Sequence, residues 1–325
     1  MTKRERIEAA VHGRPVDRVP ISFWRHFPEA EMGAESLAEA LAAFQRRYDL
    51  DFVKMMPNAT YATEDWGCET AYTGDPMGAR KVLKGVVHES DDWRRIRPVD
   101  PRAGAFGREV RCVGLLRRAV GEGTPIVQTV FNPLSVAYKL GGERALEDIR
   151  RPPAALHTAL QAIAETLRGF VKACLQAGAD GIFFATQLAS EKFCSAGKYR
   201  EFGRPYDLQV LEAAEGSGFS VLHLHGADIF FDLVADYPVH AVNWHDRRVP
   251  PSMAEARERY SRCFVGGINE TETLPRGPGP RVREEVVDAI AQVQGRGVIV
   301  GPGCVFPVDT PEAHLEAARR AVEAG

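Results

Sequence analysis

The chain has 325 residues, of which 45% are hydrophobic and 26% charged, and its formal net charge is -3. These ordinary globular values exclude a disordered chain and a collagen-like repeat, and 6 cysteines are too few for a disulfide scaffold of this length. A near-neutral balance gives nucleic acid no electrostatic footing, and no window approaches the roughly 18 apolar residues that a membrane-spanning helix needs.

The N-terminal run MTKRERIEAAVHG mixes charge with short apolar patches and lacks the apolar core of a secretory signal, so a cytoplasmic protein with reduced thiols is expected. Within it, Lys3-Arg4-Glu5-Arg6 reads as a solvated helix face. A strand is predicted at 18–24, then a helix over 35–49 with Leu37, Leu41 and Phe44 on one face. A second strand at 52–57 leads into residues 70–124, where Gly, Pro and charge are dense and the pattern reads as a long irregular excursion. Strands follow at 125–131 and 181–186. Between them a helix is predicted over 154–177, its Leu156, Leu160, Ile163, Leu167, Val171 and Leu175 forming one apolar stripe. Then come helix 198–214, strands 220–225 and 240–244, helix 252–261, strand 263–268, helix 281–294, strand 297–301 and helix 310–323. Thr310 reads as the N-cap of the last helix, with Pro311 at its first position.

Short apolar strands alternating with helices are what a closed parallel barrel requires, because each strand is buried on both faces. An open doubly wound sheet is the alternative, but it usually carries a Gly-rich phosphate turn after its first strand. Here Trp24-Arg25-His26-Phe27-Pro28 stands in that place. The expected fold is α/β: a single (β/α)8 TIM barrel of residues 1–325, with the 70–124 excursion inside it.

In such a barrel the chemistry sits at the C-terminal ends of the strands. Those ends carry Arg25, His26, Asn58, Asn132, Gln187, His223, His225, His245, Asp246, Asn269, Glu270 and Cys304. Strand side chains alternate, so in Ser220-Val-Leu-His-Leu-His-Gly226 the two histidines share one face and the two leucines the other. About 6–7 Å apart along the strand, His223 and His225 can converge on one ion. Cys304, in Gly301-Pro-Gly-Cys-Val-Phe-Pro307, can supply a third ligand, and a His2Cys set with one position open suits catalytic zinc. Arg25 can pair bidentately with a substrate carboxylate. His26, Asn132, Gln187 and His245 are candidate substrate contacts. Asn58, Asp246 and Glu270 can orient an acceptor or hydrogen-bond a ligand histidine. The bland alternatives are imidazoles bonded to neighbours, a core cysteine and a structural ion pair for Arg25.

Several segments resemble the uroporphyrinogen decarboxylase superfamily: Arg4 to Pro20, Asn132-Pro-Leu-Ser-Val-Ala-Tyr-Lys-Leu-Gly-Gly142, Gln176 to Gly181, Leu222-His-Leu-His-Gly226, Gly266-Gly-Ile-Asn269, and Gly301 to Pro307 with Asp309-Thr-Pro-Glu312. The matches run in order over nearly the whole chain. The resemblance implies a (β/α)8 barrel with its site at the C-terminal mouth. It also implies one of two chemistries: metal-free decarboxylation of tetrapyrrole acetate side chains in porphyrin biosynthesis, or zinc-dependent methyl transfer from a methylated corrinoid protein to a thiol.

The decarboxylase pattern fails at several positions. Arg25 matches its first arginine, but the second is missing from His26-Phe27-Pro28-Glu29. Asn58 falls where the family has an essential aspartate, and Pro302-Gly303-Cys304 lacks the family's histidine. Tyr138 resembles its active-site tyrosine, one residue out of register. The methyltransferases use His-x-Cys and a distant Cys; here His223-x-His225 is followed by Cys304, with His in place of the middle Cys. The expectation is a zinc enzyme with one ion on His223, His225 and Cys304. It would move a methyl group between a methylated corrinoid or small methyl donor and a metal-activated acceptor. The corrinoid would be a substrate or be carried by a partner protein, and the barrel would be a monomer or homodimer with no nucleic acid or membrane partner. A true uroporphyrinogen decarboxylase and a non-catalytic corrinoid- or tetrapyrrole-binding barrel are the alternatives.

Overall fold

The computed structural model describes residues 1–151 and 154–323; residues 152–153 and 324–325 of the expected domain lie outside that description. Its centre is a parallel sheet. The strands are β1 Val53–Lys54, β4 Ile126–Phe131, β5 Gly181–Thr186, β6 Val221–Leu224, β7 Ala241–Trp244, β8 Cys263–Ile268 and β9 Val298–Pro302, each paired with the next in that order. A separate antiparallel pair, β2 Glu69–Ala71 and β3 Lys81–Lys84, lies between β1 and β4 in sequence. The sheet strands are buried along their whole length. That explains runs such as IVQTVF and GIFFAT, which have no polar face to alternate with. Helices connect successive strands, so the seven form a parallel half-barrel of the TIM-barrel type.

The expected first strand is reduced to a single bridge. Ile21 pairs parallel with Val300 of β9. Ser22 N–H donates to the Val300 carbonyl at 3.0 Å and Val300 N–H to the Pro20 carbonyl at 2.8 Å. On the other side, Asp51 N–H donates to the Ile21 carbonyl at 2.9 Å. Two causes stop a longer ladder. Pro20 has no N–H to give, and the Ile21 N–H is taken by the Asp51 carboxylate at 2.8 Å. Asp51 is fully buried and also receives Arg6 and Arg18 at 2.7 Å each. Arg6 therefore points inward from the helix Lys3–Val11, and the charge run at 3–6 is not wholly a solvated face.

The 70–124 segment, expected to be irregular, holds the β2–β3 hairpin and a 3-10 helix at Ser90–Arg95 before a long helix. Gly104–Val120 is a 17-residue helix burying Phe106, Cys112, Val113 and Leu116. Its arginines dilute the apolar pattern, yet two of them work from partly buried positions: Arg108 holds Glu64 and Glu109, and Arg117 holds Asp180. The predicted helix at 198–214 breaks into Ala196–Phe202 and Arg204–Glu212. At the break, Pro205 opens the second helix, and a Cβ on Gly203 would lie 2.7 Å from the Tyr199 ring. The last helix is Glu312–Ala321 with Pro311, not Thr310, at its N-cap; the Thr310 hydroxyl donates instead to the Pro307 carbonyl at 2.7 Å. Among the described residues, no helix is long and apolar enough to cross a membrane.

Inside the sheet an aromatic floor closes the lower part of the mouth. Trp24 packs on Phe52 and Phe183, and Phe52 packs edge-on against Phe219. Phe183 also lies beneath the His223 ring, with centroids 5.5 Å apart. Because the strands are parallel, the residues that follow β5, β6, β7 and β9 all emerge above this floor.

Candidate metal centre and cavity

Four side chains converge at the ends of β6, β7 and β9. His223, His225, His245 and Cys304 place their donor atoms within 4.8 Å of one another. His223 Nε2 and His225 Nδ1 are 3.5 Å apart, and Cys304 Sγ lies 3.7 Å from the first and 3.6 Å from the second. Zinc with ordinary Zn–N and Zn–S bonds in a tetrahedron separates its ligand atoms by about 3.3–3.6 Å. The three atoms already stand at that spacing. Gly303 permits the close packing, since a Cβ there would lie 2.8 Å from Glu270 Oε2 and 2.9 Å from the His245 Cα.

The neighbours of the histidines decide which ring nitrogens face the centre. Asn243 is the register partner of His223 on β7. Its amide Nδ2 donates to the Val265 and Pro302 carbonyls at 2.7 and 3.2 Å, which turns Oδ1 toward His223 Nδ1 at 2.6 Å. An amide oxygen only accepts, so Nδ1 carries the proton and Nε2 keeps a free lone pair. His245 repeats the arrangement: its Nδ1 is 2.6 Å from Glu270 Oε1, which Arg248 also holds at 3.1 Å. The His245 Nε2 and Glu270 Oε2 atoms are buried without a hydrogen-bond partner. A buried lone pair left in this state is an unusual cost that a bound cation would remove.

Charge points the same way. Burial, reinforced by the neighbouring imidazoles, pushes His223 well below the usual histidine range and His225 down to about 4. Burial, with the Glu270 carboxylate nearby, pushes the Cys304 thiol up to about 12. His223, His225 and Cys304 are thus three uncharged donors packed together, of which only the thiol must lose a proton to ligate.

The cluster opens on a cavity of about 290 Å3. Of the residues singled out from the sequence, His26, Gln187, His223, His225 and Cys304 line it. His26 is held by Glu31, its Nδ1 being 3.2 Å from Oε2. Glu270 stands behind His245 rather than in the cavity. The others are elsewhere. Asn58 is fully buried, where its side chain accepts from Thr60 and donates to Glu64 at 2.8 Å. Asn132 caps the helix Pro133–Gly141 and donates to Asp207 at 2.8 Å. Asp246 accepts the Gly267 N–H at 3.0 Å, and burial pushes it up to about 7. Arg25 stacks over Phe27 and Phe44 and donates to the Val308 carbonyl at 3.1 Å, so it does not meet a ligand in this cavity. Tyr138 faces a second, outer pocket beside the β2–β3 hairpin.

Sequence reading missed two groups. Asn243 was legible: it stands in the middle of a predicted strand, where a polar residue needs a partner. Lys54, Arg80 and Lys139 also line the cavity. They come from β1, from the hairpin region and from the helix Pro133–Gly141, and no local spacing links them.

Residues 2–325 match the profile of the uroporphyrinogen decarboxylase (URO-D) family. Among curated proteins, the chain is 24% identical to methylcobamide:CoM methyltransferase MtbA of Methanosarcina acetivorans, over 97% of this chain and 96% of the relative. It is 25% identical, with the same coverage, to MtbA of Methanosarcina mazei. Among solved structures, a methyltransferase from Methanosarcina mazei superposes with a TM-score of 0.84 at 22% identity, covering 100% of this chain and 99% of the other. The match across the chain and the shared fold place this protein in the URO-D family.

Proposed function

We propose that this URO-D family member is a zinc-dependent methyltransferase. In this reading His223 through Nε2, His225 through Nδ1 and Cys304 through Sγ hold one zinc ion, with His245 as a fourth donor. The enzyme moves a methyl group between a methylated corrinoid or small methyl donor and an acceptor bound in the cavity. The fold is read as a (β/α)8 barrel in which residues 18–24 serve as a shortened eighth stave. The observation that carries the proposal is the spacing of three donor atoms at 3.5–3.7 Å, with the outer nitrogen of His223 fixed by Asn243 and, beside them, that of His245 by Glu270.

When bound, zinc lowers the pKa of the acceptor, so that a nucleophile exists at neutral pH. The chain's own residues do the rest. Asn243 sets the tautomer of His223. Glu270 orients His245 and is itself held by Arg248. The aromatic rings of Trp24, Phe131 and Phe183 give the acceptor an apolar surface, while His26 and Gln187 offer it polar contacts. The donor set has a single thiolate, which leaves the centre more electrophilic than a two-cysteine site and less able to activate a bound thiolate.

Methyl transfer from methylcobalamin to a panel of small thiols, followed by the change in corrinoid absorbance, tests the proposal. Turnover is expected in the zinc-loaded protein and lost in Cys304→Ser and His223→Ala. Equal rates in the wild type and both variants would overturn it. The decarboxylase alternative gains no support from the site. Asn58 lies outside the cavity and Arg25 points away from it.

A further inference from the structure

Three histidines at the mouth of the barrel have an oxygen of another side chain on Nδ1: Asn243 behind His223, Glu270 behind His245 and Glu31 behind His26. The first two belong to the metal centre. His26 does not, yet it is built in the same way and lines the same cavity.

The pair is a local device. Residues 28–32 form a turn in which the Ala30 and Glu31 N–H groups both donate to the Phe27 carbonyl, at 2.8 and 2.9 Å. The turn brings Glu31 back to His26, whose Nδ1 stands 3.2 Å from Oε2. Glu31 is fully buried, and its Oε1 has no partner. An ionised carboxylate only accepts, so His26 Nδ1 carries the proton and Nε2 keeps a lone pair. Among the described residues that Nε2 has no hydrogen-bond partner, and unlike His245 Nε2 it is not sealed inside the protein. The ring is held in place from the hairpin side, where a Cβ on Gly78 would lie 2.7 Å from the His26 Cβ.

A fully buried carboxylate with a neutral imidazole as its partner is a costly arrangement. The cost falls when the imidazole gains a proton and the pair becomes ionic. His26 is therefore poised to take a proton from the cavity side. His223 and His225 line the same cavity but use their free nitrogens toward the metal centre, which leaves His26 as the uncommitted imidazole.

We propose that His26, oriented by Glu31, is the general base that takes the proton of the acceptor thiol. The assignment rests on the methyltransferase reading. The S–H bond breaks, its electron pair stays on sulfur, and the proton moves to His26 Nε2, giving an imidazolium whose Nδ1–H remains on Glu31. A sulfur electron pair then forms the bond to the methyl group, and the bond between that methyl and its donor breaks with both electrons left on the donor. His26 returns its proton to solvent as the thioether leaves. Glu31 is the positioning residue of the pair.

Stopped-flow mixing of the cobalt-loaded full chain with 2-mercaptoethanol and with thiophenol tests this. The added thiolate-to-cobalt absorbance reports ligation without any methyl transfer. At about pH 8 the first probe is still a thiol and the second is already a thiolate. His26→Ala is expected to slow ligation of 2-mercaptoethanol about 100-fold and to leave thiophenol within about twofold of wild type. Its cobalt content is unchanged, and imidazole added to the buffer restores part of the lost rate. Glu31→Gln keeps an acceptor toward Nδ1 without the charge, and is expected to lose about 10-fold with 2-mercaptoethanol alone; it carries the same comparison if His26→Ala does not hold cobalt. Equal slowing with both probes, or no slowing with 2-mercaptoethanol, would overturn the proposal and leave the methyltransferase reading standing. A wild-type protein whose cobalt takes up neither probe would remove that reading and the proposal with it.

Discussion

The two walls of the cavity are built on opposite electrostatic plans. The wall from β6 to β9 has a partner behind most of its polar groups: Asn243 behind His223, Glu270 behind His245, Arg248 behind Glu270. The facing wall, from β1, the hairpin region and the helix Pro133–Gly141, presents Lys54, Arg80 and Lys139 with no acid behind them. The first wall is preorganised for a cation. The second holds its two ammonium groups over aromatic rings.

The largest effect that can break this contrast belongs to the matched wall. Asn243→Ala removes the group that keeps the His223 proton on Nδ1, and zinc affinity is expected to fall about 10- to 100-fold. Competition with a chromophoric chelator measures it. Asn243→Asp keeps an acceptor toward Nδ1 but loses the donor to the Val265 and Pro302 carbonyls, so it is expected to recover the affinity only in part. If Asn243→Ala binds zinc as wild type does, the hydrogen bond is merely structural.

Next in size is the pH dependence of zinc binding. His225, with its folded value near 4, is uncharged throughout pH 6–8, and His223 is lower than its usual range for the same reason. Cys304, near 12, is a thiol over the whole interval. Binding therefore displaces one proton, and affinity is expected to rise about 10-fold per pH unit. A slope of two or three would mean that the histidines are charged in the empty protein, against the burial argument.

These two expectations had different visibility in the sequence. The His223-x-His225 pair and Cys304 were legible because period-2 alternation puts two imidazoles on one strand face and because Cys304 follows a strand end. The parallel strands were legible from their unbroken apolar runs, within a residue or two except at the shortened β1 and at 18–24, which forms only a single bridge. What sequence could not show was pairing at a distance. The helix Gly104–Val120 was hidden by arginines whose partners include Glu64 and Asp180, which lie outside it. Arg25 looked like a ligand contact until Phe27 and Phe44 came to pack against it. The cavity lysines belong to this second class, since only the fold brings β1 and the helix Pro133–Gly141 to one chamber.

The smallest effect sharpens the unmatched wall. Lys54 has a folded value near 7, below its usual value near 10.5. The unfolded chain therefore binds more protons between those limits, and stability rises with pH across that window. Lys54→Met removes the burden and is expected to raise the melting temperature by a few °C. The gain is largest below pH 7 and shrinks toward pH 10. A variant that melts lower than wild type at pH 7 would show that Lys54 is already well solvated or paired.

The central claim is the metal centre, and elemental analysis of the purified, zinc-equilibrated protein tests it most directly. About one zinc per chain is expected in the wild type, with less than ~0.2 in Cys304→Ser and in His223→Ala when both are folded. Less than ~0.2 zinc in the wild type, or equal zinc in all three proteins, would contradict the account.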